Sequence, residues 1–151
     1  MDVHPAIRHE PDPEHPGWWT WDLSSYEGRF NAVLGKLLVR EDGPGRAICR
    51  MFPGLRHANL GDIIHGGALL TFIDMAFFAG GRLAGAEVAY AVTLDCNVRF
   101  LSPGAIGVPL DAEVELLRET KRLAFFNGRL VQDGTLVAIF SGALRKGARA
   151  P

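Results

Sequence analysis

The chain has 151 residues, of which 48% are hydrophobic and 22% charged. That composition builds one globular domain with a sizeable core and excludes a disordered chain. With 16 Lys+Arg against 17 Asp+Glu the formal charge is −1, so no overall basic field is available to hold nucleic acid.

Residues 1–17, MDVHPAIRHEPDPEHPG, are polar and rich in proline. They read as an N-terminal arm, dispensable for chemistry and unlike a signal peptide. Residues 18–151 read as a single domain. Trp18, Trp19 and Trp21 open it as packing aromatics. Ser24 and Glu27 have capping-box spacing and predict a short helix over 25–34. Strands are expected over 36–41 and 46–52, joined by the turn-forming EDGPG. An irregular loop covers 55–64.

The next segment, HGGALLTFIDMAFFAGGRLAG, predicts a helix over about 66–84, apolar on nearly every face and therefore surrounded by protein. Asp74 interrupts its apolar run, which is shorter than the roughly 20 residues a membrane span needs. Strands are expected over 89–101, 108–119, 123–132 and 135–144. In the second of these, Val108, Leu110, Ala112, Val114 and Leu116 share one face, and Asp111, Glu113 and Glu115 the other. In the first, strict alternation sets Val92, Leu94, Cys96, Val98 and Phe100 opposite Thr93, Asp95, Asn97 and Arg99. The order hairpin, helix, meander opposes a doubly wound sheet. It predicts an α+β fold in which an antiparallel sheet of five or six strands wraps around one long central helix. Cys49 and Cys96 have neither the number for a disulfide scaffold nor the paired spacing of a zinc site, and fit a reducing, cytoplasmic location.

Chemistry concentrates around the start of the long helix. Gly66-Gly67 leaves backbone N–H groups unshielded at a helix N-terminus, where negative charge is stabilised. Asp74 is a carboxylate within an apolar helix, so it is paired, protonated or facing a cavity. Asn59 lies on the preceding loop, where its amide can orient a water or a carbonyl. A structural reading stands beside each: His65 as a framework residue, Gly66-Gly67 as tight packing, Asp74 as the partner of an arginine.

Taken together, His57, Asn59, Gly61 and His65-Gly66-Gly67, followed by Asp74, resemble the hotdog-fold thioesterases of the phenylacetate-degradation type. Phe30-Asn31 with Gly35, the stretch Ala91–Pro103 and Lys121–Phe126 extend the resemblance over about residues 28–146. The resemblance implies the hotdog fold and hydrolysis of an acyl-CoA, with coenzyme A as part of the substrate and no separate cofactor or metal. It implies that Gly66 and Asn59 handle the thioester carbonyl, with His65 beside them. Asp74 would be the base or nucleophile, and Thr93 the hydroxyl that holds it. It sets Gly67, Arg118, Lys121, Arg122 and Arg145 toward the coenzyme A moiety. A basic rim suits its phosphates, though solvated charge at a turn reads equally well.

Gly66 and Asp74 lie eight residues apart, about 12 Å along a helix at 1.5 Å per residue. A carbonyl under attack lies about 3 Å from both its oxyanion donors and the attacking group. One chain therefore cannot supply both, and the resemblance implies two antiparallel helices from two copies. A homodimer or dimer of dimers is expected. The alternatives are a hotdog enoyl-thioester hydratase or dehydratase, a non-catalytic acyl-CoA binder and a purely structural dimer.

Overall fold

The computed structural model describes residues 3–147. The first two residues of the expected arm and the last four of the expected domain lie outside it. The described chain contains β1 (Trp19–Asp22), β2 (Lys36–Glu41), β3 (Arg46–Met51), α1 (Gly66–Leu83), β4 (Val92–Phe100), β5 (Leu110–Glu119), β6 (Leu123–Gln132) and β7 (Thr135–Arg145), with short 3-10 turns at Phe30–Leu34 and Leu55–His57. The strands form one sheet in the order β1-β2-β3-β5-β6-β7-β4, and every pairing is antiparallel.

The sheet has seven strands where five or six were expected. The additional strand is β1, whose register pairs Trp19 with Val39 and Asp22 with Lys36. The helix expected over 25–34 shrinks to the single 3-10 turn. The Asp22 carboxylate takes the Ser24 N–H at 2.9 Å and makes an Asx turn there instead of a helix start. Val108 lies outside β5, because its carbonyl accepts from the Gln132 side chain at 2.9 Å. The expected alternation holds beyond it: Leu110, Ala112 and Val114 are fully buried. On the opposite face Asp111 takes both ends of the Arg50 guanidinium at 2.7 and 2.8 Å.

α1 lies on β2, β3 and β5 with Leu69, Phe72, Ile73, Ala76 and Phe77 buried, and Phe77 reaches Phe126 of β6 and Phe140 of β7. Gly80 and Gly81 let it approach closely: a Cβ at Gly81 would stand 2.9 Å from the Phe126 ring, and one at Gly80 3.0 Å from Val114 Cγ2. The helix is not enclosed on every side as the sequence predicts. Leu70 is 42% exposed and Asp74 and Phe78 are half-buried, so a stripe at i, i+4, i+8 is uncovered. Edge strand β4 beside it is also open, with Leu94 52% and Phe100 50% exposed.

The arm is ordered against the sheet. Arg8 bridges to Asp22 and Pro11 to Trp19, extending the sheet past β1, while its prolines remove the donors a full strand needs. Of the three tryptophans, Trp21 enters the core and Trp18 lies under the Arg40 and Arg50 guanidiniums at 5.0 and 4.6 Å. Cys49 and Cys96 are both free thiols. No helix among the described residues is long and apolar enough to cross a membrane.

Candidate active site

The loop before α1 is built by side chains bonding to its own backbone. His57 is buried. Its Nδ1 accepts from the Gly54 N–H at 2.9 Å and its Nε2 donates to the Val33 carbonyl at 2.6 Å. Both ring nitrogens are thus committed to holding the loop against the 3-10 turn at 30–34. Asn59 Oδ1 accepts from the N–H groups of Gly61 at 2.8 Å and Ile63 at 3.3 Å. The turn closes through Asp62 at φ 58, in the left-handed region. With its oxygen bound inside the loop, the Asn59 amide keeps its NH2 as the group still able to donate.

His65 is the N-cap of α1. Its Nδ1 accepts from Gly67 N–H at 2.8 Å, and its carbonyl accepts from Ala68 at 2.9 Å and Leu69 at 3.1 Å. Of the first four helical N–H groups, three are therefore taken. Among the described residues the Gly66 N–H has no acceptor, which makes it the donor the helix end presents. The Gly67 N–H, by contrast, is spent on the cap.

Eight residues on, Asp74 Oδ1 accepts from Thr93 Oγ1 at 2.6 Å. Strict alternation along β4 sets Thr93 opposite Cys96 and Val98, and the structure corrects this. A register shift between Thr93 and Asp95 leaves Leu94 without a partner on β7, and a bulge reverses the facing of the residues after it. Thr93 stands opposite Leu144, and Cys96 and Val98 opposite Gly142 and Phe140. All three therefore point toward the helix side. Burial, with the charges of Asp74 and then Asp95, pushes the Cys96 thiol up.

Asp74 lies on the wall of a cavity of about 620 Å³, among Ile7, Trp21, Phe30, Met75 and Phe78. Of the helix phenylalanines, Phe72 and Phe77 fill the core and Phe78 faces this cavity. The arm's contribution was missed by sequence reading, although Val3, Ala6 and Ile7 recur at i, i+3, i+4. A larger hollow of about 870 Å³ lies elsewhere, between His9, Trp18, Trp19, Arg40, Arg50 and Arg82, and does not include Asp74.

The basic residues split. Leu123 pairs with Arg145, and the Lys146 N–H donates to the Arg122 carbonyl at 2.8 Å, so the 118–122 turn and the chain end lie side by side. Arg118, Lys121, Arg122 and Arg145 are exposed, whereas Lys146 is bound to Glu119 at 2.7 Å. This rim adjoins the acid: Arg145 pairs with Val92, and its neighbour Leu144 with Thr93. Among the described residues one group of metal-ligating types, Asp12, Glu14 and His15, clusters in the arm, and there Asp12 is already paired with Lys36.

The chain is similar to known proteins over most of its length. Residues 61–139 match the model of the Thioesterase superfamily. Acyl-coenzyme A thioesterase 13 from Homo sapiens is 31% identical over 117 residues, covering 75% of this chain and 80% of the relative. A mutant form of the phenylacetic acid degradation protein PaaI from Thermus thermophilus is 29% identical with a TM-score of 0.66, over 78% of this chain and 98% of that one. Thioesterase superfamily member 2 from Mus musculus is 27% identical with a TM-score of 0.68, over 78% and 87%. The helix wrapped by an antiparallel sheet is the hotdog arrangement, and with the superfamily model matched over just over half of its length, the chain belongs to the thioesterase superfamily.

Proposed function

We propose that this chain hydrolyses the thioester of an acyl- or aryl-CoA to the free acid and CoA, at a site completed by a second copy of itself. The observation that carries the reading is the Asp74 carboxylate, held by Thr93 at 2.6 Å on the wall of a largely apolar cavity. Curated relatives named acyl-coenzyme A thioesterase 13 support the CoA ester as substrate. Coenzyme A enters as part of the substrate, and the chemistry requires no other cofactor.

Gly66 and Asp74 sit about 12 Å apart along α1, at 1.5 Å per residue. The uncovered stripe of Leu70, Asp74 and Phe78 and the open edge of β4 offer a second copy the surface on which to lie antiparallel. Gly66 N–H and the Asn59 amide of one copy then receive the thioester oxygen. Asp74 and Thr93 of the other face the carbonyl carbon. As charge grows on that oxygen, the free N–H and the helix end stabilise it more than they stabilise the ground state. In the general-base route Asp74 takes a proton from water, whose oxygen bonds to the carbonyl carbon. The tetrahedral intermediate then collapses, the C–S bond breaks with its electron pair leaving on sulfur, and the acid proton returns to the thiolate. In the nucleophilic route the carboxylate attacks first and expels CoA as the thiolate, leaving an anhydride; water then hydrolyses the anhydride to the free acid, restores the Asp74 carboxylate and supplies the proton that the thiolate takes up. The exposed Arg118, Lys121, Arg122 and Arg145 receive the nucleotide phosphates.

A histidine base for a hydratase is disfavoured: His57 has both ring nitrogens committed to backbone groups, and His65 is held as the helix cap through its Nδ1. The free thiols fit a reducing compartment such as the cytoplasm. The test is a panel of acyl- and aryl-CoA esters with release of free CoA as the readout. Asp74→Asn keeps the shape and removes the charge. It should bind acyl-CoA and lose at least about 100-fold in kcat, the scale of general-base catalysis. An Asp74→Asn protein as active as the parent would refute the reading.

A further inference from the structure

We propose that the N-terminal arm is the specificity wall of the acyl cavity: Val3, Ala6 and Ile7 face the space that Asp74 opens onto, and they bound the length of the apolar acyl group admitted. The proposal rests on the thioesterase reading above and adds to it which acyl groups are taken.

Three observations carry it. First, one cavity of about 620 Å³ is lined by both Asp74 and the arm residues Val3, Ala6 and Ile7, together with Trp21, Phe30 and Phe78. That volume falls within the roughly 300–1,000 Å³ of small-molecule sites, and a wall made mostly of aliphatic and aromatic side chains, with Arg29, Asn31 and Arg82 as its polar members beside Asp74 and His4, favours a largely apolar occupant.

Second, the wall is fastened. Arg8 and Asp22 exchange backbone bonds at 2.9 and 3.1 Å, Thr20 N–H donates to the Glu10 carbonyl at 2.8 Å, and Asp12 N–H to the Trp18 carbonyl at 2.9 Å. Thr20 Oγ1 donates to the Arg8 carbonyl at 2.9 Å. The His9 ring bonds the Thr20 carbonyl at 2.7 Å and stacks on Trp19 with centroids 5.2 Å apart. Buried Asp12 receives Lys36, from β2, and His15. Those partners, Lys36 first, hold its carboxyl at about 2, so the anchor is ionised throughout the neutral range.

Third, the fastening and the wall occupy different residues. The anchors run from Arg8 to His15, and the cavity is met by Val3, His4, Ala6 and Ile7. Val3, Ala6 and Ile7 line the same cavity as Asp74. Here Val3 and Ile7 lean on the core from the cavity side.

The experiment compares the full chain with Ile7→Ala, Ile7→Trp and a deletion of residues 1–7. Each is assayed for kcat/KM on butanoyl-, octanoyl-, dodecanoyl- and hexadecanoyl-CoA, and by calorimetric binding of the non-hydrolysable thioether analogues. Enlarging the cavity by Ile7→Ala or the deletion should raise the hexadecanoyl-to-butanoyl ratio at least about tenfold, the discrimination that one methylene commands in an apolar pocket. Ile7→Trp should lower the ratio of octanoyl to butanoyl. Butanoyl turnover should persist in all three, because the arm supplies nothing to the bond-breaking step. An arm that only stabilises the fold would change every substrate by the same factor, and unchanged ratios in both readouts would overturn the proposal. If the deletion does not fold, the two point variants still decide. A full chain that binds the analogues but hydrolyses none of the esters would refute the thioesterase reading alone, and the binding ratios would still judge the wall.

Discussion

Thr93→Val removes one oxygen and keeps the branched shape, so it isolates the hydroxyl that holds Asp74. The lost contact is a hydrogen bond to a carboxylate at 2.6 Å. Bonds to charged groups contribute about 1.5–3 kcal/mol. Thr93 is exposed in the single chain, so water can replace part of the loss, and the lower end of that range applies. At about 1.4 kcal/mol per factor of ten, the expected fall in kcat is about tenfold. KM should change by less than about twofold, because an interaction that orients the acid toward the reacting carbon is felt in the transition state rather than in substrate binding. Thr93→Ser restores the donor and should recover most of the rate. Steady-state kinetics on the best acyl-CoA of the panel give both numbers. A Thr93→Val enzyme with parental kcat would refute the reasoning, since the bond would then hold an acid that does nothing. An equal loss in Thr93→Ser and Thr93→Val would also refute it, because packing and not the hydroxyl would be at stake.

Three further outcomes are expected. Leu70→Glu places a charge one turn before Asp74 on the uncovered stripe; light scattering should give a folded monomer without hydrolytic activity, and an active monomer would remove the shared site. Replacing Arg118, Lys121 and Arg122 with Gln should raise KM for CoA esters and leave kcat nearly unchanged, with no effect on a truncated pantetheine thioester; equal KM values for the two substrates in the parent would show that the nucleotide goes elsewhere. Burial, with the Asp111 charge adding, pushes the Cys49 thiol up to about 12, and burial beside Asp74 and Asp95 raises that of Cys96. Cys49 therefore stays protonated well above the usual thiol range, so the folded protein should withhold it from a disulfide reagent at pH 8 and yield it only when unfolded, while half-buried Cys96 should react more slowly than an exposed thiol. Rapid labelling of both thiols in the folded chain would contradict that burial.

The fold was legible wherever one periodicity ran long enough. The helix expected over about 66–84 is found at Gly66–Leu83, because its caps and its apolar run agree. The face of β5 follows from Leu110, Ala112 and Val114. What escaped was decided by contacts rather than by pattern. β1 is four residues long and exists because β2 and the arm pair with it on either side. The bulge at Leu94 leaves no mark in a sequence that alternates without a break, yet it is what turns Thr93 toward Asp74. The candidate residues Asn59, Gly66 and Asp74 stand out in the sequence as a spaced group, Asp74 above all because a carboxylate in an apolar helix costs stability unless it is paired or faces a cavity. The division of labour between neighbours does not: His65 caps, Gly67 is capped, and Gly66 alone keeps its N–H.

The same physical fact links the uncovered stripe, the bulge and the arm. A single long helix has more apolar circumference than one sheet of this curvature can cover, and here the sheet covers the side bearing Phe72, Ala76 and Phe77. The remaining side carries Leu70, Asp74 and Phe78. A carboxylate there avoids full burial, which spares the cost of desolvation, and it still looks onto apolar walls where a thioester can lie. The bulge brings one hydroxyl to that carboxylate without closing the space. The arm then supplies the wall that neither the helix nor the sheet provides, as Val3 and Ile7 come to the cavity from outside the domain's own strands. On the proposed reading, the reacting group sits on the long helix and the boundary of the acyl space on a separately anchored segment. Substitutions along the arm should accordingly move selectivity while the chemistry at Asp74 stays in place.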